Sequence, residues 1–468
     1  YRFRREMEQD NLILKGDLQL PLGGFELKSG ISYEESTRET QQFEWKGVAF
    51  EDRTLDQMGT SNPDIIIIPG VLEFDGPDHF ASTDQIIETG ASRGIREISA
   101  GYLLASMRPF NNLQVSGGVR LEETFLEMTA IKPGKITQFE FSPEVESSPI
   151  DEKSYLPAVT ATYEISPQLK LRLGASETIA KPSFRELNPS PIYNITEGIV
   201  EIGNPGKVTG GGFDNGGEET DLLPTQYQGL TVVEVTNLDM RLEWFFHEQD
   251  MLAVSFFKKS VVGPIERVKV QAGGSTAYTY FNNENDAIVE GLELEGRLGM
   301  GLISEHLENF HIGGNYTCIN AGVARSSLEL GILPNGIQSD RVLFNQPEYI
   351  LNAYIGYSCE NLGVDMTLSA NRVGDQLFAI TGHGDIYEEP YNSLNLVISK
   401  EITDQIALKF AAKNLLDPSK ERSLKSHGEI NSGDVGDASG AGSSDYDYSK
   451  RDAYKSGRSF SISCSYKF

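Results

Sequence analysis

Apolar and polar residues alternate with a period of two over most of the chain. In the last segment, Phe460, Ile462, Cys464, Tyr466 and Phe468 alternate with serines and one lysine. Because successive side chains of a strand point to opposite faces, this pattern predicts strands with one apolar and one polar face. We expect about 15 such strands, near residues 11–20, 25–36, 94–107, 113–130, 154–166, 169–182, 230–247, 251–262, 287–299, 309–322, 346–358, 363–379, 390–401, 405–417 and 458–468.

The connections between these strands alternate between very short and very long. Residues 21–24 and 167–168 are short connections, whereas 37–93, 183–229 and 418–457 are long ones. In an up-and-down antiparallel sheet, alternate connections lie at opposite ends, so one rim is tight and the other elaborate. Outer-membrane barrels have this asymmetry, with short periplasmic turns and long external loops. The predicted fold class is therefore all-β, a transmembrane antiparallel up-and-down β-barrel.

Charge and hydropathy exclude several other classes of protein. The longest apolar run, 65–68, ends at Pro69-Gly70, far short of the roughly 18–20 residues that a membrane-spanning helix needs. The 468 residues carry a formal charge of −28. A nucleic-acid partner is not expected, because phosphate binding depends on clustered Lys and Arg.

The sequence offers little support for catalysis or metal binding. It contains no Walker loop and no HExxH motif, and its six histidines show no paired ligand spacing. Its three cysteines are odd in number and lack CxxC spacing. We therefore predict that the protein is not an enzyme and has no catalytic, cofactor-binding or metal-binding residues.

Several segments share a pattern with one family of proteins. They are Tyr155-Leu156-Pro157, Ala180-Lys181-Pro182-Ser183-Phe184, Trp244-Phe245-Phe246, Lys413-Asn414-Leu415-Leu416-Asp417 and the stretch from Arg458 to Phe468. In this order they resemble the barrel motifs of TonB-dependent outer-membrane receptors, and the resemblance covers about residues 10–468. Lys181 stands where the family usually has arginine. No segment resembles the family's N-terminal plug or its TonB box.

The resemblance implies a larger barrel than the predicted strands can form. Family barrels have 22 strands, so residues 1–468 are expected to be an N-terminally truncated outer-membrane β-barrel domain without its plug. They would supply the C-terminal 15–16 strands. The odd strand count could instead reflect a missed strand in 263–286, but we favour the absence of the N-terminal part.

The resemblance also implies a function. It predicts a receptor in the outer membrane of a Gram-negative-type cell that takes up an iron–siderophore complex, cobalamin or an oligosaccharide. Its partners would be the TonB complex, acting through the missing N-terminal region, outer-membrane lipid, the outer-membrane assembly machinery and a small-molecule ligand. Two alternatives share the strand pattern: a passive porin-like channel and a secreted β-rich adhesin.

Two groups of residues are predicted to be functional. The terminal strand, with Phe460, Ile462, Tyr466 and Phe468, resembles the signal that the assembly machinery reads, so replacing Phe468 by alanine is expected to impair assembly. His79 and His383 lie in long connections and are candidate ligand contacts in external loops.

Overall fold

The structure is a computed structural model of the chain. It describes residues 2–45, 86–132, 135–136, 139–140, 145–146, 149–190, 192–194, 199–204, 213–214, 219–220, 229–247, 250–272, 275–332, 339–381, 384–426 and 450–466.

Nearly all of the described elements are strands. They are β1 (Arg2–Leu22), β2 (Phe25–Trp45), β3 (Ile86–Phe110), β4 (Leu113–Lys132), β5 (Lys135–Ile136), β6 (Phe139–Glu140), β7 (Val145–Glu146), β8 (Ile150–Ser166), β9 (Leu169–Ala180), β10 (Ile192–Asn194), β11 (Ile199–Glu201), β12 (Phe213–Asp214), β13 (Glu219–Thr220), β14 (Val233–Phe245), β15 (Met251–Val262), β16 (Ile265–Ala272), β17 (Ser275–Asn282), β18 (Ala287–Gly299), β19 (Phe310–Ala324), β20 (Asp340–Val342), β21 (Tyr349–Cys359), β22 (Val364–Val373), β23 (Gln376–Ala379), β24 (Gly384–Glu388), β25 (Tyr391–Thr403), β26 (Ile406–Lys413), β27 (Ser419–Ser426), β28 (Lys450–Lys455) and β29 (Ser459–Tyr466). Two short α-helices are α1 (Phe184–Leu187) and α2 (Ser327–Ile332), and 3-10 turns occupy Met300–Leu302, Glu305–Leu307 and Glu360–Leu362. In the described part of the chain, no helix has the length and apolar character needed to span a membrane.

Seventeen of the strands form one antiparallel main sheet. Two of them, β7 and β20, are short additions, and the other fifteen are long. The long strands follow one another as a meander: β1, β2, β3, β4, β8, β9, β14, β15, β18, β19, β21, β22, β25, β26 and β29. Tight turns and 3-10 turns join them at one end, here called the short-turn rim. The longer connections lie at the other end, here called the long-loop rim.

The main sheet has an apolar outer face. Leu242 of β14, Val254 of β15 and Leu294 of β18 are cross-strand partners, and they are 40%, 44% and 49% exposed. Their neighbour Glu243 points to the other face and is only 8% exposed. A sheet that leaves its leucines open and covers its carboxylates is inverted relative to a water-soluble sheet. It has the side-chain distribution of a barrel whose outside meets lipid.

The structure confirms the predicted fold class and the fifteen long strands. Some strands extend well beyond the predicted bounds. β2, expected to end near residue 36, continues to Trp45, and β3 begins at Ile86 rather than near residue 94. The apolar alternation stops where these strands pass the belt of exposed leucines, but the backbone pairing continues beyond it.

One expected strand is wrong, and the alternative of a missed strand, which we did not favour, is not met either. The segment 363–379 is not one strand: β22 ends at Val373, and β23 belongs to a different sheet. The segment 263–286 does not supply a missed barrel strand, because its strands β16 and β17 pair with each other outside the main sheet. Both segments carry an apolar alternation that serves two smaller sheets rather than the barrel wall.

Candidate ligand-binding site at the long-loop rim

The inner face of the main sheet carries a network of opposite charges. The guanidinium of Arg241 donates to Glu243 at 2.9 Å and to Glu295 at 2.7 Å. Arg172 donates to the same Glu243 at 2.9 Å. These side chains lie on three strands and share one face, as their period-two spacing requires. Because each charge faces an opposite one, this part of the wall is polar without a large excess of either sign.

Asparagine side chains continue this polar wall across four strands. Asn315 donates to Glu293 at 2.6 Å, Asn352 donates to Asn315 at 2.9 Å, and Asn371 donates to Asn352 at 2.8 Å. Asn315 and Asn352 each accept from the next strand through the amide oxygen and donate to the previous strand through the amide nitrogen. The ladder ties β18, β19, β21 and β22 together and presents hydrogen-bonding groups to the interior.

The helix α1 folds inward against this wall. It has a capping box, in which the backbone N–H of Glu186 donates to the Ser183 hydroxyl and the Ser183 N–H donates to the Glu186 carboxylate. Phe184 and Leu187 are buried in an apolar cluster with inner-face side chains of β4. A Cβ on Gly94 of β3 would lie 2.5 Å from the Phe184 ring, so only glycine allows this close approach.

A cavity of about 390 Å³ lies on the inner wall over β1 to β4. Lys15, Asp17, Tyr102, Glu122 and Lys181 contribute to its lining. Lys181 pairs with Glu122, and the Tyr102 hydroxyl donates to Asp17 at 2.7 Å. Charges of both signs are thus held in defined positions inside the sheet.

A second body of structure, here called the loop platform, is built from connections of the long-loop rim. It consists of two four-stranded sheets, one of β10, β11, β17 and β16 and the other of β23, β24, β27 and β28. Backbone hydrogen bonds join the two sheets. The Lys269 N–H donates to the Ile380 carbonyl at 3.0 Å, and the Ile380 N–H donates to the Arg267 carbonyl at 3.3 Å. Val268 and Ile380 at this junction are both fully buried.

Buried ion pairs hold the platform to the main sheet. Arg341 of β20 donates to Glu266 of β16 at 2.5 and 2.7 Å and to Glu329 of α2 at 2.7 Å. Arg325 donates to Glu329 at 3.2 Å and to Asp385 of β24 at 2.7 Å, so it links the two carboxylates. Both glutamates are fully buried. Burial acts to lower the pKa of Arg341, but its hydrogen bonds to the carboxylates of Glu266 and Glu329 raise that pKa on balance, so the guanidinium stays charged.

An aromatic ring binds two more guanidiniums inside the platform. The Arg267 and Arg422 guanidinium carbons lie 3.9 and 3.6 Å from the centre of the Phe378 ring. Arg267 also donates to Glu201 at 3.0 Å and to the Phe378 carbonyl at 3.2 Å. Nearby, burial and the Asp385 carboxylate raise the pKa of Tyr387 to about 12, so its hydroxyl remains neutral at physiological pH.

Arginines engage the buried carboxylates of the platform. Arg341 donates to Glu329, and Arg325 donates to Asp385. No group of three His, Cys, Asp or Glu side chains with the geometry of a metal site occurs in the part of the chain that the structure describes. The platform is a rigid polar surface above a polar interior.

The comparison with known families agrees with this geometry. The family model described as "TonB dependent receptor-like, beta-barrel" matches residues 2–415. The chain belongs to this family. No curated protein sequence matches the chain.

Solved structures of TonB-dependent receptors share the fold. The copper transporter OprC has a TM-score of 0.54 at 13% identity, covering 99% of this chain and 57% of OprC. The ferric citrate transporter FecA in its unliganded form has a TM-score of 0.52 at 11% identity, covering 100% of this chain and 55% of FecA. The siderophore receptor PiuA from Acinetobacter baumannii has a TM-score of 0.50 at 12% identity, covering 90% of this chain and 53% of PiuA. The chain spans about half the length of these proteins.

The described structure places only some of the residues predicted to be functional. Phe460, Ile462 and Tyr466 lie on the outer face of β29 and are 63%, 78% and 53% exposed. Their role as an assembly signal stays a prediction. Phe468, His79 and His383 lie outside the described residues, so the two histidines remain candidate ligand contacts by sequence alone.

Sequence reasoning missed the charged residues on the inner wall near α1. Arg38 and Arg96 lie 5.0 and 6.0 Å from the centre of the Phe184 ring. The signal was present, because Arg38 has the same parity as the inward-facing Ser36. It was overlooked because β2 was expected to end near residue 36.

Proposed function

We propose that the chain forms the barrel of an outer-membrane receptor that binds a scarce nutrient at the long-loop rim and imports it with energy received through TonB. One observation carries this proposal: the main sheet turns its apolar face outward and its polar face inward, beneath a platform of folded loops. Membership of the receptor family supports it. Outer-membrane lipid and the assembly machinery would be its other partners, and residues 1–468 would form a single barrel domain.

The platform favours a receptor over a passive channel. A ligand site gains affinity when its groups are already ordered before binding, because less conformational entropy is lost. The buried arginine–carboxylate pairs at Arg341 and Arg325 give the platform this order. The three similar structures are described as transporters or receptors for copper, ferric citrate and a siderophore, and a shared fold does not choose between such ligands.

Uptake in cells tests the proposal. We would delete the gene in its host and measure accumulation of labelled ferric chelates, cobalamin and oligosaccharides, with and without an uncoupler of the inner-membrane proton gradient. We expect one nutrient to lose most of its uptake, and that uptake in the parent to be saturable and abolished by the uncoupler. Non-saturable uptake that resists the uncoupler would indicate a passive channel instead. Unchanged uptake of every nutrient, with the protein released to the medium, would indicate an adhesin.

A further inference from the structure

Charge is segregated between the two faces of the sheet near the long-loop rim. The relevant stretch of β1 to β4, here called the upper wall, comprises residues 5–11, 34–42, 91–99 and 123–130. Its outer face carries eight carboxylates and a single arginine: Glu6, Glu8, Asp10, Glu35, Glu39, Glu97, Glu123 and Glu127, with Arg93. Its inner face carries three arginines and one carboxylate: Arg5, Arg38, Arg96 and Glu34.

The inner arginines form one cluster, here called the arginine cluster (Arg5, Arg38 and Arg96). Arg38 and Arg96 flank the same Phe184 ring, and the positive charges of Arg96 and Arg5 both act on Arg38. Like charges this close repel one another, and the repulsion is stronger where the surroundings exclude water. The cluster thus places three positive charges close together on the inner face of a chain whose overall charge is −28.

Other described residues neutralise only part of this positive charge. Arg38 donates from Nε and Nη2 to the neutral amide oxygen of Gln9, at 2.8 and 2.6 Å. Among the described residues, no carboxylate lies within ion-pair distance of Arg38 or Arg5. Arg96 donates to Glu34 at 2.6 Å, but its Nε is buried and has no acceptor in the described part of the chain. A buried donor without an acceptor is costly unless something else supplies one.

We propose that the arginine cluster binds the anionic groups of the imported nutrient, which is therefore a carboxylate- or phosphate-bearing compound. The planar guanidinium presents paired donors that match a carboxylate or a phosphate, and it remains charged at all physiological pH values. An anion at this place would relieve the repulsion within the cluster and accept from the buried Nε of Arg96. The acidic outer face would not compete for it, because the sheet separates the two faces. The inference rests on the proposed function, since it names the chemical class of the nutrient.

Equilibrium binding of two simple anions tests the inference. The purified full chain in detergent would be titrated with labelled citrate and with pyrophosphate at low ionic strength. We expect saturable binding of at least one of them, weakening as salt is added. Arg38→Gln, which retains a hydrogen-bonding partner for Gln9, and Arg5→Gln, which disturbs no packing, should each weaken that binding about tenfold, a loss of about 1.4 kcal/mol.

Two further variants make the test specific. Arg93→Gln removes an arginine from the outer face of β3 and should leave anion affinity unchanged, which separates the inner cluster from net charge. Glu34→Gln removes the carboxylate that neutralises Arg96 and should strengthen binding several-fold.

Three results would overturn the inference: no saturable binding of either anion, an Arg93→Gln effect as large as that of Arg38→Gln, or a Glu34→Gln variant that binds more weakly. The proposed function fails independently. If a neutral nutrient is taken up with energy and no anion binds, the proposed receptor function stands and the role of the arginine cluster is refuted. If an anion binds and uptake needs no energy, the role of the cluster stands and the proposed receptor function is refuted.

Discussion

Single buried residues decide whether the loop platform is ordered. Glu329 is fully buried and accepts hydrogen bonds from Arg325 and Arg341, two guanidiniums that reach the platform from the main sheet side. Desolvating three charges is costly, and their mutual attraction offsets that cost only while every partner is present. Such a network contributes little net stability compared with an apolar core. Removing any one of its charged side chains is nevertheless strongly destabilising, because a buried charge is left without its partner.

We predict that Glu329→Gln loosens the platform. The variant leaves Arg325 and Arg341 buried with less compensating charge, and breaking a buried pair in this way costs roughly 3–5 kcal/mol. Hydrogen exchange of the β16 and β20 backbone amides should become faster, while exchange in the main sheet away from the platform stays slow. Glu290→Gln is the matched control, because that carboxylate is 40% exposed and 4.0 Å from Lys258. Equal exchange in the two variants would contradict this account.

At the scale of the strand, alternation determines which face meets lipid. Leu368 of β22 is cross-strand to Ile355 and Leu396, both in the apolar outer row, whereas the next residue, Ser369, faces inward beside Asn395. This much follows from the sequence, because a period of two assigns each side chain to a face once one position is known.

A pair of substitutions at adjacent positions tests this assignment. Leu368→Arg places a charge on the outer face and should cost about 2–4 kcal/mol if that face lies near the middle of a bilayer. Ser369→Arg places the same charge on the polar inner face and should be tolerated. The measurement is the fraction of folded protein in the membrane, read from heat-modifiable migration on a gel. Equal loss in both variants would mean that the outer face is not in lipid.

Other strand properties could not be predicted from alternation. The apolar pattern ends where the leucine belt ends, so it predicts shorter strands than β2 and β3 and places Arg38 in a connection rather than on a strand. Likewise, the alternation in β16, β17 and β23 reflects two smaller sheets, which meet at a buried junction of Val268 and Ile380. A local pattern reports that one face is buried, but it does not report against which element.

For the molecule as a whole, strand order and rim asymmetry were predictable, whereas the platform and the arginine cluster were not. Short and long connections alternate in the sequence, and a meander is the simplest way to connect such strands. The contact of Arg341 with Glu266 spans 75 residues, and that of Arg325 with Asp385 spans 60. No local signal relates such pairs, so they become visible only when the loops are folded over the rim.

The proposed receptor function requires that the main sheet cross the outer membrane with its long-loop rim outside. The most direct test labels single cysteines in intact cells with a membrane-impermeant maleimide, after the free Cys318, Cys359 and Cys464 are replaced by serine. Asp340 is exposed at the long-loop rim, and Glu305 is exposed in a turn of the short-turn rim. Each would be replaced by cysteine in a separate variant, Asp340→Cys and Glu305→Cys.

We predict that Asp340→Cys is labelled in intact cells, and that Glu305→Cys is labelled only after the outer membrane is permeabilised. Labelling of both positions without permeabilisation, or the reverse order, would contradict the account.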